Sequence, residues 1–154
     1  MNLTTRILVF TLLNFLALFI GGIFTGGGVS SDWYTELIKA PWTPPGWMFG
    51  VAWTTIMICF SIYMGILYNR SSNRKALGQA YVFQLLLNIM WNPLFFYFQN
   101  AVLALVVIMT LTLLVIYILF NNSKLLKGYS ALIVPYATWL CIATSLNIYI
   151  VAYN

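Results

Sequence analysis

Five apolar runs, each long enough to cross a bilayer, constrain this chain more than any other feature of its sequence. They cover residues 7–25, 47–68, 77–98, 101–120 and 129–153. An α-helix rises about 1.5 Å per residue, so a run of this length spans a hydrocarbon core of about 30 Å. Helices satisfy their own backbone hydrogen bonds in lipid, which an open sheet cannot do. The pattern therefore predicts an all-α integral membrane protein, with residues 1–154 forming one membrane domain of five transmembrane helices.

The scarcity of charge points the same way and makes several functions a poor fit. Only 6% of the residues are charged, whereas a soluble domain carries roughly 25%. The sequence has no His, its only acidic residues are Asp32 and Glu36, and no charged residue lies inside an apolar run. Nucleophile–base catalysis and ion-coupled transport usually need such groups. We therefore expect no metal site and no required cofactor, and the net charge of +5, spread over the turns, does not indicate a nucleic-acid partner.

The basic residues predict the orientation of the bundle. Arg6 and the turns at 69–75 and 121–128 fall at one end and hold six of the seven basic residues, while Lys39 is alone at the other end. The positive-inside rule then places the N-terminus in the cytoplasm. Because five spans are an odd number, the C-terminus faces outward, and a bacterial plasma membrane fits this arrangement.

The connection between the first two runs is unusually long, aromatic and stiff. Four of the six Trp fall within residues 33–53, together with Pro41, Pro44 and Pro45. Proline fixes its own φ and restricts the preceding residue. The segment could be an aromatic belt at the membrane surface, or a lid over a cavity between the helix ends. We favour the lid, because a belt needs no proline scaffold.

The third run carries an amide stripe, Gln84, Asn88 and Asn92, at intervals of four residues. Amides facing lipid are costly, so the stripe should face the bundle. There it would either form interhelical hydrogen bonds or orient a ligand in an apolar pocket. Both interpretations remain open.

The second and fifth runs each place a Trp at moderate depth. These are Trp53 and Trp139, and Ala143 follows Trp139 by one helical turn, which leaves space beside the ring. The two indoles could be ordinary aromatic packing. Alternatively, they could form a flat apolar slot for a large planar ligand.

Several separated motifs, in the right order, resemble the translocator protein family, also called the tryptophan-rich sensory protein or peripheral benzodiazepine receptor family. They are Trp33-Tyr34-x-x-Leu37-x-Lys39-x-Pro41-Trp42-x-Pro44-Pro45-x-Trp47, then Trp53-Thr54, Leu87-Asn88-x-x-Trp91-x-Pro93-x-Phe95-Phe96, and Pro135-Tyr136-x-x-Trp139 through Leu146-Asn147. The resemblance covers nearly the whole chain. It implies a five-helix membrane bundle, commonly a homodimer.

The resemblance also implies a function. It is that of a membrane receptor that binds porphyrins, such as protoporphyrin IX, and benzodiazepine-site drugs in a pocket under the first loop. Carried over by position, the ligand-binding residues would be Tyr34, Trp47, Trp53, Asn88, Asn92, Trp139 and Ala143.

Two other functions stay open under the same resemblance. In bacterial members, Trp residues that match Trp53 and Trp139 are implicated in light-dependent porphyrin breakdown, which would make these two residues catalytic and the porphyrin a substrate. A transporter of porphyrin or another lipophilic molecule is the second alternative. Sterol binding is not supported, because the tail 151–154 lacks the basic residue of the animal cholesterol motif.

Overall fold

The computed structural model describes residues 2–154 and is all-helical over that part of the chain, which confirms that the fold is all-α. Five long helices correspond to the five apolar runs, and a sixth, short helix lies in the connection between the first two. The helices are α1 (Leu3–Ile23), α2 (Asp32–Glu36), α3 (Gly46–Arg70), α4 (Arg74–Asn92), α5 (Ala101–Leu126) and α6 (Val134–Tyr153). Short 3-10 turns occupy Gly28–Ser30 and Lys127–Ile133, and a π-helical turn occupies Pro93–Tyr97.

Several of the long helices are suited to a bilayer. The stretches Leu3–Ser30, Gly46–Arg70 and Ala101–Tyr153 are long and apolar enough to cross a membrane, and the last of them contains both α5 and α6. By the same measure α4 falls short, because basic and amide side chains, among them Gln84 and Asn88, lower its mean hydropathy. These two side chains are nevertheless buried, so α4 turns its amides towards the other helices.

Proline decides where α4 ends. The third run was predicted to continue to residue 98, but α4 stops at Asn92 and a π-helical turn follows. Pro93 has no N–H to donate. Its own carbonyl accepts from the N–H of Phe98 at 2.9 Å, which is the wider hydrogen-bond spacing of a π turn. The π turn carries the aromatic side chains of Phe95, Phe96 and Tyr97.

The fourth and fifth helices also differ from their predicted bounds. The fourth run was expected to end at residue 120, but α5 continues to Leu126. Asn122 Nδ2 donates to the carbonyl of Ile118 at 2.8 Å, so this polar residue bonds back onto its own helix rather than ending it. A 3-10 turn then occupies the start of the predicted fifth run, and α6 begins at Val134.

The helices pack most tightly at the basic end of the bundle. Along the bundle, α1 lies against α3 and α4, and α5 lies against α4 and α6. Phe60, Tyr63 and Leu67 of α3 are fully buried. A Cβ added at Gly65 would lie 2.5 Å from Cγ1 and 3.2 Å from Cα of Ile7, so only glycine allows α1 and α3 to approach this closely.

Local hydrogen bonds, and one pair of bonds to the end of the chain, hold the α1–α3 connection in place. Ser31 caps α2 by accepting from the N–H of Tyr34 at 3.3 Å, and Lys39 Nζ donates to the Tyr34 carbonyl at 2.9 Å. At the far end of the chain, the Asn154 amide bonds the backbone N–H of Ile38 at 2.9 Å and its carbonyl at 3.2 Å. The connection is thereby tied to the end of α6.

Candidate ligand-binding cavity

A cavity of about 500 Å³ lies between the helices where they meet the α1–α3 connection. Small-molecule sites commonly enclose about 300–1,000 Å³. The larger apolar side chains of its wall include Leu18, Phe49, Trp53, Trp91, Phe95 and Phe96. The rest of the wall consists of Gly22, residues 25–29, Tyr34, Gly50, Thr54, Asn92, Ala143, Leu146, Asn147 and Ile150. The wall contains no charged side chain.

One side of the cavity is a rigid aromatic wall. The Trp91 ring stacks on Phe95, with centroids 5.0 Å apart and planes 13° from parallel, and Phe96 meets Trp91 edge-on at 5.9 Å. Tyr34 of α2 closes over the same rings, 5.9 Å from Phe96. Stacked and edge-on rings hold each other in one orientation. This wall therefore presents a fixed apolar surface, with the Trp53 indole on a separate helix.

The wall contains two amides, Asn92 and Asn147, and they are used differently. Asn147 accepts from Trp91 Nε1 at 3.2 Å and donates to the carbonyl of Ala101 at 2.9 Å, so it anchors the aromatic wall. Within residues 2–154 the Asn92 side chain has no hydrogen-bond partner, and its amide lies against Gly21, where an added Cβ would be 2.7 Å from Nδ2. Asn92 is thus the amide available to a ligand.

The Tyr34 hydroxyl stays neutral in the physiological range. Burial raises the pKa of Tyr34 above its ordinary value. Lys39 Nζ lies 5.1 Å from the centre of the Tyr34 ring while donating to backbone carbonyls, so the nearest cation is already engaged. The cavity therefore combines apolar surface with neutral polar groups.

Glycines form one part of the wall that sequence reasoning missed. Gly26 and Gly28 have φ of 55°, a conformation that glycine adopts without strain and that folds the chain back after α1. A Cβ added at Gly22 or Gly50 would meet nothing within 4 Å, so these positions leave part of the space empty. The run of three glycines at 26–28 was the available signal.

Four of the predicted ligand-binding residues line the cavity and three do not. Tyr34, Trp53, Asn92 and Ala143 are in the wall. Trp47, at the start of α3, lies outside it with 67% of its surface exposed.

Asn88 also lies outside the wall, because it is used in a buried hydrogen-bond cluster. Asn88 Nδ2 donates to the Tyr136 hydroxyl at 2.9 Å, and Gln84 Nε2 donates to the same oxygen at 2.6 Å. Each of the two interpretations of the amide stripe therefore applies to a different part of α4. The first two amides form interhelical hydrogen bonds, and Asn92 faces the cavity.

Trp139 is buried behind the wall. Its ring meets Phe49 edge-on at 5.4 Å, and Phe49 lines the cavity in its place. The slot between Trp53 and Trp139 that the sequence suggested is consequently not formed in this structure. Trp139 Nε1 is buried without a hydrogen-bond partner among the described residues.

The proline segment runs along α6 rather than over the cavity. Trp42 Nε1 donates to Ser145 Oγ at 3.1 Å, and its ring meets Tyr149 at 5.6 Å. None of the three prolines of this connection lines the cavity. The part of the connection that borders the cavity is the glycine turn together with Tyr34, so only this part is placed to act as the expected lid.

Comparison with known proteins identifies the family. A model of the TspO/MBR family matches residues 10–153. The tryptophan-rich protein TspO of Archaeoglobus fulgidus is 36% identical over 152 residues, which cover 96% of each chain. The tryptophan-rich sensory protein of Cereibacter sphaeroides is 34% identical over 139 residues, covering 88% of this chain and 85% of that one. The translocator protein of Bos taurus is 31% identical over 148 residues, covering 90% and 83%. The chain, an integral membrane protein with apolar helices, belongs to the TspO/MBR family.

Proposed function

We propose that this protein binds porphyrins in the cavity beneath the α1–α3 connection, with protoporphyrin IX as the ligand to test first. The same cavity would accept other planar apolar molecules, including benzodiazepine-site drugs. The observation that carries the proposal is the combination of a rigid aromatic wall and one amide, Asn92, that has no partner within the described chain. A site of this kind selects its ligand by shape and uses one polar group to orient it.

The chemistry of the wall fits a metal-free porphyrin. Its macrocycle is flat and apolar and would lie against the Trp91–Phe95 stack, with Trp53 contacting it from α3. Asn92 can donate to a propionate or accept from a pyrrole N–H. The sequence has no His to serve as an axial iron ligand, so binding would depend on packing and hydrogen bonding alone.

Titration of the purified protein in detergent tests the proposal. Protoporphyrin IX binding would be followed by its own fluorescence anisotropy, so that replacing a Trp does not remove the signal. We expect a Trp53→Phe, Asn92→Leu double variant to bind about tenfold more weakly, because the smaller ring reduces the aromatic contact and a hydrogen bond is lost. Trp47→Phe is the matched control, since Trp47 is exposed and off the cavity. Equal affinity of the double variant and the original protein would refute this site.

Light-dependent porphyrin breakdown is a second candidate function. It is favoured by one observation, that the indoles of Trp53 and Trp91 both line the cavity. Indoles are electron-rich and react with photo-generated oxidants. Under light and oxygen, the Soret band of bound porphyrin should decay more slowly in a Trp53→Phe, Trp91→Phe variant. Because Trp139 lies behind the wall, Trp139→Phe should retain the original rate. Decay that is unchanged without both wall indoles would count against this candidate.

We propose further that all five long helices cross the membrane, with the N-terminus in the cytoplasm. The contacts support one basic end, because Arg6 Nη1 donates to Asn69 at 2.6 Å beside Arg70 and Arg74. Single cysteines introduced at Ser72 and at Ser31, in a chain without its own two cysteines, would be probed in intact cells. Only the cysteine at 31 should react with an impermeant maleimide. Labelling at residue 72 alone would show that the orientation is the opposite one, with the N-terminus outside the cell.

A further inference from the structure

Three aromatic rings in contact connect the cavity with the surface at the end of the bundle opposite the basic turns. Trp91 lines the cavity and stacks on Phe95, with ring centroids 5.0 Å apart. Phe95 also meets the Trp33 ring of α2 edge-on, with centroids 5.3 Å apart. The centres of the two indoles are therefore no farther apart than these two distances combined. Trp33 itself lies outside the cavity wall.

The two indoles of this row differ in the surroundings of their N–H groups. Trp91 Nε1 donates to Asn147 Oδ1 at 3.2 Å. An amide oxygen accepts a hydrogen bond but is a very weak base, so it does not remove this proton. Trp33 is only partly buried, and its Nε1 has no partner within residues 2–154 and is not among the buried atoms. Water therefore reaches the Trp33 proton, whereas the Trp91 proton is held within the protein.

The other indole of the cavity wall has no second indole beyond it. Trp53 meets Tyr136 edge-on, with centroids 6.1 Å apart. The Tyr136 hydroxyl is fully buried and accepts from the amides of Gln84 and Asn88, neither of which is a base. Oxidation of a phenol is unfavourable when its proton cannot leave. Of the two wall indoles, Trp91 is thus the one from which an oxidised state can move on.

We propose that Trp91 and Trp33 form an electron relay between the cavity and the surface. This inference rests on the second candidate function, because its oxidant is the light-excited porphyrin. Trp91 gives one electron to that porphyrin, which passes the electron to dioxygen and is restored. The Trp91 radical cation takes one electron from Trp33, and Trp33 releases its Nε1 proton to water. In the net change Trp33 loses one electron and one proton, and one dioxygen is reduced to superoxide.

The packing of the row suits this transfer. Electron transfer through protein falls off steeply with distance and is fastest where groups are in direct contact. Phe95 is buried between the indoles, and ring contacts hold all three side chains in place. Indoles are oxidised far more easily than phenyl rings, so Phe95 conducts the electron without being oxidised itself. The relay removes the radical from the cavity wall and so protects the binding site from its own photochemistry.

The position of oxidative damage tests the relay. The purified protein with bound protoporphyrin IX would be illuminated in aerated detergent solution, and peptide mass spectrometry would locate the oxidised Trp residues. We expect more oxidation at Trp33 than at Trp42 or Trp47, although 55% and 67% of the latter two are exposed. Singlet oxygen released from the porphyrin would instead favour the most exposed rings. Azide, which quenches singlet oxygen, should leave the oxidation of Trp33 in place.

Two variants test the direction of transfer, with oxidation compared per bound porphyrin. Trp91→Phe should lower the oxidation of Trp33 several-fold, because the first donor is missing. Trp33→Phe should raise the oxidation of Trp91 several-fold, because the radical then stays at the cavity. Trp42→Phe is the matched control, since Trp42 packs on Tyr149 away from the cavity, and it should change neither yield. Circular dichroism would confirm that each variant keeps its helices.

A failure of the relay is distinguishable from a failure of the proposed function. If the porphyrin binds but oxidation follows exposure, or if Trp33 is oxidised equally in the Trp91→Phe variant, the relay is overturned and the binding site stands. If the porphyrin does not bind, a ruthenium(II) polypyridyl photo-oxidant with a soluble electron acceptor replaces it. It would be attached at Gly50→Cys, where an added Cβ meets nothing within 4 Å, in a chain without its own two cysteines. Oxidation of Trp33 that requires Trp91 is again expected, and oxidation that does not require it would overturn the relay.

Discussion

The two ends of α3 show opposite uses of the same residue. At the basic end, Gly65 lets α1 pack so closely that an added Cβ would clash with Ile7. At the other end, Gly50 lines the cavity and an added Cβ would meet nothing within 4 Å. Glycine removes the same atoms in both places. What differs is whether a neighbouring helix fills the space, so one half of the bundle becomes a packed core and the other keeps a cavity.

One buried polar cluster in the packed half contrasts with the amide at the cavity. In the packed half, Tyr81 donates to Asn14 Oδ1 at 2.8 Å and Asn14 Nδ2 donates to Ser61 Oγ at 2.9 Å. These groups satisfy one another and hold three helices together. At the cavity, the Asn92 amide is left without a partner among residues 2–154. The packed half is thus built for stability, and the cavity half has a polar group to offer a ligand.

The largest expected effect comes from replacing the packed glycine. Gly65→Ala should lower the free energy of unfolding by about 2 kcal/mol, because overfilling a packed interface strains it by roughly that amount. Gly50→Ala is the matched control on the same helix and should be neutral or slightly stabilising, since alanine favours helix. Thermal unfolding in detergent would compare the two. Equal melting temperatures for both variants would contradict the difference in packing.

A somewhat smaller effect is expected from the buried cluster at Tyr136. Tyr136→Phe removes the oxygen that accepts from Gln84 and Asn88. Two buried donors would lose their partner, at a cost of about 1–2 kcal/mol. Tyr117→Phe, with 61% of that side chain exposed, is the control. If the two variants unfolded at the same temperature, the amide stripe would not contribute to stability in the way the contacts indicate.

The smallest expected effect concerns the tie between the α1–α3 connection and α6. Asn154→Ala removes two hydrogen bonds to Ile38, which are exposed, so we expect a stability loss of only about 0.5 kcal/mol. The local effect should be clearer. The Ile38 amide hydrogen should exchange faster in the variant, as measured by hydrogen–deuterium exchange. Asn121→Ala, at the opposite end, should leave that exchange unchanged. Unaltered exchange at Ile38 would mean that the segment is held by its other contacts.

Much of the fold could be predicted from sequence because membranes impose simple rules. Long apolar runs have to be helices, and buried amides have to face other helices. The inward orientation of Gln84 and Asn88 follows from these rules, as does the all-helical fold. Helix ends were harder to predict, because they depend on local hydrogen bonds. Asn122 bonding back to Ile118, for example, extends α5 through a segment that resembles a turn.

The site was only partly predictable. Trp53, Asn92 and Ala143 could be named from the family resemblance, and they do line the cavity. Trp139 could not be placed correctly, because a residue's position along a helix does not say which neighbouring ring will stand in front of it. In this fold that ring is Phe49. Trp91 was not predicted as a site residue. Its place in the wall depends on contacts with Phe95 and Asn147, which belong to two other elements.

By itself, the sequence determined that this is a membrane protein, that it has five long helices, and which end of the bundle is basic. These properties depend on how residues partition between water and lipid. Each residue contributes to that partitioning independently of its neighbours in the folded structure. Only the tertiary structure decided beside which glycines the space is filled by a neighbouring helix and beside which it stays empty. It also decided which amide keeps a free hydrogen-bonding group. Those outcomes depend on contacts between residues far apart in the chain, which packing alone brings together.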